Sequence, residues 1–161
     1  MRSGAGEKRE RSGRPGGEEG MGGHRFLEHM SDVYAEAWGE TLGEAYREAA
    51  LALYETISSP EAAQPRVEKI VEAEGRDLQE LLYDWLEKLI VLFDVEGFLA
   101  SNMDVEVEEA GEGWRLRARL RGEPYNPARH PHGTHVKGVT YHLMEVEAKE
   151  PVKRLRFLLD I

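Results

Sequence analysis

The sequence predicts an α+β domain, two helices packed on a mixed or antiparallel sheet of about six or seven strands. Three observations carry this. Two capping boxes, Thr41-Leu-Gly-Glu44 and Asp77-Leu-Gln-Glu80, each open an apolar run at helical spacing. Short segments rich in aromatic and β-branched residues precede those runs and fill the C-terminal half. The chain is 40% hydrophobic, enough for a core, and 32% charged, with no run of about 18 apolar residues such as a membrane helix needs.

The elements follow in order. Residues 1–23 hold eight Gly and nine charged residues. They cannot bury enough surface to offset their ordering entropy and are expected to form a disordered tail. Met21 offers an alternative start, with the upstream stretch an extension. Residues 24–161 form one domain. Arg25–His29 and Val33–Trp38 read as strands, punctuated by Gly39. Thr41 caps a helix in which Leu42, Ala45, Tyr46, Ala49, Leu53 and Ile57 share a face, ending near Ser58 ahead of Pro60. Arg66–Glu74 alternates as a strand. Asp77 caps a second, strongly apolar helix through Leu78, Leu81, Leu82, Trp85, Leu86, Leu89 and Phe93 to about Asp94. The rest is β: Phe98–Glu108, Trp114–Arg121, Val136–Glu147 and Leu155–Leu159. Ala110-Gly-Glu-Gly113 is the hairpin turn joining the first two. The connection Glu123–His135 holds two prolines and a cluster of histidines.

Composition limits function. The net charge is −10, from 31 acids against 21 bases, and residues 24–161 alone carry 27 acids against 16 bases. A polyanion is a poor primary binder of nucleic acid, so direct nucleic-acid contact is not expected. The absence of cysteine excludes disulfide scaffolds, zinc ribbons and thiol nucleophiles. No apolar segment of a secretory signal follows the basic N-terminus, so a soluble, cytoplasmic protein without membrane contact is expected. Fifteen Arg against six Lys, with two Asn and two Gln, suits a protein selected for heat or a GC-rich genome.

Candidate chemistry is sparse. His130, His132, His135 and His142 are close enough in sequence to converge on a transition metal, but no closed zinc spacing is met, and a solvated loop is the simpler reading. Glu28 and His29 close the first strand and Asp32 lies three residues past it, where a carboxylate usually caps a turn. The sequence stops at Asp160-Ile161 after an apolar strand, so an Asp side chain and the terminal carboxylate fall within one residue of each other. Such a pair repels unless a cation lies between, and oxygen ligands suit Ca²⁺, Mg²⁺ or Mn²⁺; a frayed end in water is the bland alternative. There is no phosphate loop and no nucleophile elbow. Asp104, Glu106, Glu108 and Glu109 face alternating Arg115, Arg117, Arg119 and Arg121 across the hairpin, which reads as cross-strand charge pairing rather than an RNA groove.

Taken together, several segments resemble the archease family. They are Phe26-Leu-Glu-His-Met-Ser-Asp32-Val, Trp38-Gly-Glu-Thr-Leu-Gly-Glu-Ala, Asp77-Leu-Gln-Glu-Leu-Leu-Tyr-Asp-Trp-Leu, Asn126-Pro-Ala-Arg-His130-Pro, Val136-Lys137-Gly-Val-Thr-Tyr-His142-Leu-Met and the final Asp160-Ile161. Each is weak alone; their order across nearly all of 24–161 is specific. The resemblance implies a non-catalytic partner of the RtcB-type RNA ligase of tRNA splicing and RNA repair. It would promote guanylylation of the ligase and multiple turnover. It further implies a metal site, with calcium the associated ion, made by Asp32, Asp160 and the backbone carboxylate of Ile161. Met30 and Ser31 depart from the usual Thr-Ala pair, and His135 stands where the family has Glu. His132 falls at a variable position, so the histidine cluster is not the family's metal site. Lys137 and His142 lie in a family-like motif and are as well explained by structure as by function. The alternative is a chaperone or specificity modulator of tRNA-modifying enzymes such as tRNA methyltransferases. A metal-dependent hydrolase built on the histidine loop is the remaining reading, and it lacks a nucleophile and a general base.

Overall fold

Two junctions of one design organise the chain. In a computed structural model, which describes residues 22–27 and 31–161, strand β2 (Val33–Gly39) leads into helix α1 (Leu42–Ile57) and strand β3 (Val67–Gly75) leads into helix α2 (Leu78–Glu96). The expected tail over residues 1–21 and the residues Glu28, His29 and Met30 lie outside the described residues. At each junction a Gly ends the strand, one residue follows, and then the N-cap. The Thr41 hydroxyl accepts from the Glu44 N–H at 3.1 Å, and the Glu44 carboxylate accepts from the Glu40 N–H at 2.8 Å. The second junction repeats this with Asp77, Glu80 and the Arg76 N–H, at 2.8 and 2.6 Å. The N-cap bond of each predicted capping box is therefore formed, while the returning Glu reaches the N–H one residue before the N-cap. A Cβ on Gly39 or Gly75 would run into the first turn of the helix that follows, so each strand folds tightly onto its own helix. α2 runs two residues past the expected end because the stop is Gly97, in the left-handed region at φ +67°.

The remaining strands are β1 (Gly23–Leu27), β4 (Phe98–Ala110), β5 (Gly113–Pro124), β6 (Gly138–Glu147) and β7 (Lys153–Asp160), with a short 3₁₀ turn at Pro60–Ala62. The α+β class, and the two helices and seven strands among the described residues, agree with the sequence reading. The strands form two antiparallel sheets, ordered β1-β2-β7-β6 and β3-β5-β4. β1 takes in Gly23, the last residue assigned to the tail, and that glycine packs against the Trp38 ring.

The topology is nested. β3-α2-β4-β5 is a strand, a helix and a hairpin whose second strand pairs with the first. β2-α1-β6-β7 is the same arrangement, and the whole of the former is inserted between α1 and β6. The two units meet through their helices: the Trp85 indole donates to the Tyr46 carbonyl at 2.9 Å, and the Tyr46 hydroxyl donates to the Leu78 carbonyl at 2.6 Å. Each helix also guards a sheet edge. Arg47 of α1 donates to the Met103 carbonyl on β4 at 3.0 Å. Lys88 of α2 donates to the Glu72 carbonyl, and Asp84 accepts from the Glu74 N–H, both on edge strand β3 at 3.0 Å. The core lies between, built from Ala45, Ala49 and Leu53 of α1, Leu82, Trp85 and Leu89 of α2, and Leu99, Leu116, Leu155 and Phe157 of the sheets.

Charge pairing locks the outer face of the three-stranded sheet. Arg121 meets Asp104 at 3.1 Å and Arg115 meets Glu108 at 3.5 Å, as the hairpin predicts. Arg117 and Arg119 turn the other way, to Glu72 at 3.0 Å and Glu68 at 2.7 Å on β3. β5 is therefore a row of arginines with acids on both sides.

Candidate functional site

The β2–β7 ladder brings two of the expected ligands to one end of the four-stranded sheet. Its last pair is Val33 with Leu159; continuing that register by one residue sets Asp32 across from Asp160. Asp160 remains in β7, paired with Gly138 on β6, and its carbonyl accepts from the Lys137 N–H at 2.7 Å. Ile161 packs its side chain against the core, which anchors the residue carrying the third expected donor. Among the described residues, no Lys, Arg or His side chain comes within ion-pair distance of Asp32 or Asp160.

The nested architecture supplies an internal comparison. When Gly39 is aligned with Gly75, the place of Asp32 and Asp160 is taken in the inserted unit by Glu68 and Arg121, paired across β3 and β5. The inserted unit has an acid and a base at this position, whereas the outer unit has two acids one residue beyond its last β2–β7 pair. Close carboxylates lower their repulsion by taking up a cation. Among the described residues no three His, Asp or Glu side chains converge as a metal-holding group. Oxygen donors alone fit a hard cation.

The frame behind this end is rigid. Glu36 on β2 is only 1% exposed. It accepts from Arg25 Nε at 2.6 Å on β1 and from Arg156 Nε at 3.1 Å on β7. Glu145 on β6 stands opposite Arg156. This row crosses four strands and ties β2 to β7 in the register that ends at Val33 and Leu159. A second buried group ties β1 to α1. His24 Nδ1 lies 2.8 Å from Glu48 and Nε2 2.7 Å from Glu55. Burial would lower the imidazole pKa, but the two carboxylates outweigh it and raise it. Neither Glu36 nor His24 stood out in the sequence, because charged residues in strands read as exposed.

The histidine-bearing connection is fastened rather than reactive. The His130 side chain is buried, with Nδ1 accepting from the Asn126 N–H at 2.8 Å and Nε2 facing Glu123 at 2.8 Å. Neither ring nitrogen is left for a metal or a substrate. Glu123 also takes the Gln64 N–H at 2.9 Å and Arg129 at 2.6 Å. These contacts, led by the Gln64 N–H, hold its carboxyl down to about 2. Farther along, the Ser58 hydroxyl donates to the Pro131 carbonyl, while Gly133 and Thr134 donate to the Ile57 and Thr56 carbonyls at the end of α1. The connection thus closes the C-terminus of α1 and delivers Lys137 to Asp160. His132, His135 and His142 are exposed, and the histidines do not form a metal-binding group among the described residues. Lys137 precedes β6 instead of lying within it.

Fold and site define a small α+β protein that presents oxygen donors at the end of a braced sheet. Residues 24–161 match the Archease protein family (MTH1598/TM1083). The chain is 41% identical over 135 residues to Protein archease of Methanopyrus kandleri, covering 84% of this chain and 96% of that protein. It superimposes on the solution structure of Methanobacterium thermoautotrophicum protein 1598 with a TM-score of 0.76 at 31% identity, covering 86% of this chain and 98% of that one. A crystal structure of an archease, possible chaperone, from Thermotoga maritima shares the fold, with a TM-score of 0.55 at 20% identity over 84% of this chain and 94% of that one. The chain belongs to the archease family.

Proposed function

We propose that this protein is a non-catalytic activator of an RtcB-type RNA ligase in tRNA splicing and RNA repair. It promotes guanylylation of the ligase and so sustains repeated turnover. Family membership supports the reading. The observation that supports it is the β2–β7 register, whose last pair, Val33 with Leu159, leaves Asp32 and Asp160 at the same end of the sheet, with no basic side chain of the described residues in ion-pair distance of either. Asp32, Asp160 and the carboxylate of Ile161 would hold a divalent cation, Ca²⁺ first and Mg²⁺ or Mn²⁺ as alternatives, which supplies charge neutralisation beside a phosphate. Three donor groups leave some of the roughly six to eight positions around a calcium ion to water or to a partner. The chain's own part is to keep those oxygens fixed and exposed, and its net charge of −10 favours approach to a basic ligase centre. This reading puts the protein in the cytoplasm.

The test is a guanylylation time course of the cognate ligase with excess GTP and Mg²⁺ or Mn²⁺, with this protein at sub-stoichiometric amounts. Stimulation beyond one turnover is expected. A competent ligase that shows no response would exclude the reading.

A second reading rests on the description of the Thermotoga maritima neighbour as a possible chaperone. The protein would then keep a tRNA-modifying enzyme, such as a methyltransferase, soluble or alter its specificity. Light scattering of a methyltransferase heated with and without this protein, in the absence of ligase, separates the two.

A further inference from the structure

β6 leaves its ladder close to the acidic end. Thr140 pairs with Leu158 and Glu145 with Arg156, so four residues, 141–144, stand opposite the single Phe157. Within this bulge Leu143 adopts φ +62°, a conformation disfavoured for any residue with a Cβ. Tyr141 is 52% exposed and Leu143 41% exposed. The Tyr141 ring stacks on Tyr83 of α2, with centroids 4.4 Å apart and planes 11° apart.

Packing does not demand this bulge. In the other unit the equivalent strand, β4, meets the equivalent helix, α1, by close approach of Gly43 to the Val105 carbonyl, with one small register shift at Ala100/Asn102. The β6 edge therefore carries a strained backbone and exposed apolar side chains that its counterpart does without. Bulges of this kind re-aim side chains.

We propose that Tyr141 and Leu143 form the docking knob by which this protein grips its protein partner. The inference rests on the ligase-activator reading and names the surface that reading needs. The partner surface is an apolar hollow rimmed by Lys and Arg. Three features of the site select that occupant. Tyr141 is already immobilised on Tyr83, so little side-chain freedom is lost on binding, as in aromatic interface anchors. Asp77, Glu80 and Arg76 all act on the Tyr141 phenol; Arg76 and Glu80 pair with each other, which leaves Asp77 as the net charge beside the ring, one acid that complements a basic rim. Gly138, three residues before Tyr141, pairs with Asp160, so the knob and the acidic end share one strand, about 10 Å apart along it. Seating the knob brings the carboxylates to the partner's centre. A stacked tyrosine pair could also receive an RNA base, but the neighbouring carboxylates repel phosphate.

Calorimetric titration against the cognate ligase reads docking directly, and guanylylation rates are measured beside it. Tyr141→Ser and Leu143→Gly are each expected to weaken binding at least tenfold, with stimulation at saturation retained; Leu143→Gly also relieves the backbone and keeps the fold. Asp32→Asn is expected to do the reverse, losing stimulation while binding changes less than threefold. Wild-type affinity in both knob variants would overturn the proposal. So would wild-type binding of fluorescent single-stranded RNA that Tyr141→Ser abolishes while ligase affinity stays unchanged. Binding without stimulation sinks the activator reading and leaves the knob standing; absence of binding sinks both.

Discussion

Nε2 of His130 lies 2.8 Å from the Glu123 carboxylate while Nδ1 accepts the Asn126 N–H, so the ring proton belongs to Nε2 and points at the acid. The pair clamps the connection that ends at Asp160. Because Glu123 is held at about 2, below its ordinary 4.5, its contribution to stability is complete above 4.5 and disappears as pH falls towards 2. Thermal melts across that window are expected to show a steep acid loss in the wild type and a flatter curve in Glu123→Gln, which keeps the hydrogen-bonding shape without the charge.

His24 gives the opposite dependence. Its pKa is raised above 6.5 by Glu48 and Glu55. Its stabilising contribution is therefore full below 6.5 and fades as pH rises through the folded value. NMR titration of the ring protons is expected to place His24 above 6.5, and Glu55→Gln to bring it down. An unshifted His24 would contradict the geometry.

The Tyr54 hydroxyl is buried with no hydrogen-bond partner among the described residues, and burial pushes its phenol pKa up. An unpaired buried donor costs about 1–3 kcal/mol. Tyr54→Phe removes the group at nearly constant shape, so urea unfolding is expected to show unchanged or higher stability, by up to about 1 kcal/mol. A clear loss would reveal a partner for the hydroxyl.

Gly75 is fixed by close approach to the first turn of α2. Gly75→Ala is expected to cost about 1–3 kcal/mol, because either backbone must shift. Gly39→Ala, at the matching junction, should behave alike in the same denaturation assay.

Cation binding is checked without any partner. Calcium at about a hundred times its dissociation constant should add about 2.7 kcal/mol of stability, read as a rise in melting temperature. Asp160→Asn is expected to abolish that rise. An equal rise in the variant would move the ion elsewhere.

Local features were legible in the sequence and distant ones were not. Thr41 with Glu44, and Asp77 with Glu80, announce helix starts because the capping bonds span three residues. The Arg115 and Arg121 pairs followed from hairpin geometry. Arg117 and Arg119 did not, because β3 joins β5 on its other side and strand order is not written locally. The two-sheet division escaped notice for the same reason. Asp32 and Asp160 are unrelated polar residues near strand ends in the sequence; only the family resemblance joins them there, and the β2–β7 register adds that they lie at the same end of one sheet. Glu36 and His24 gave no signal, since burial of a charge depends on partners in other strands.

The nested connection also orders assembly in time. β3, α2, β4 and β5 are contiguous, so their contacts close short loops and can form early. β2 must instead wait for β7, which reaches it only after the whole inserted unit has been made, and that closure is the entropically dearer one. Asp32 and Asp160 thus come to one end of the sheet only through a pairing of long sequence separation. Destabilising β7 is expected to loosen this end of the molecule, which hydrogen exchange would register as faster exchange along the β2–β7 ladder.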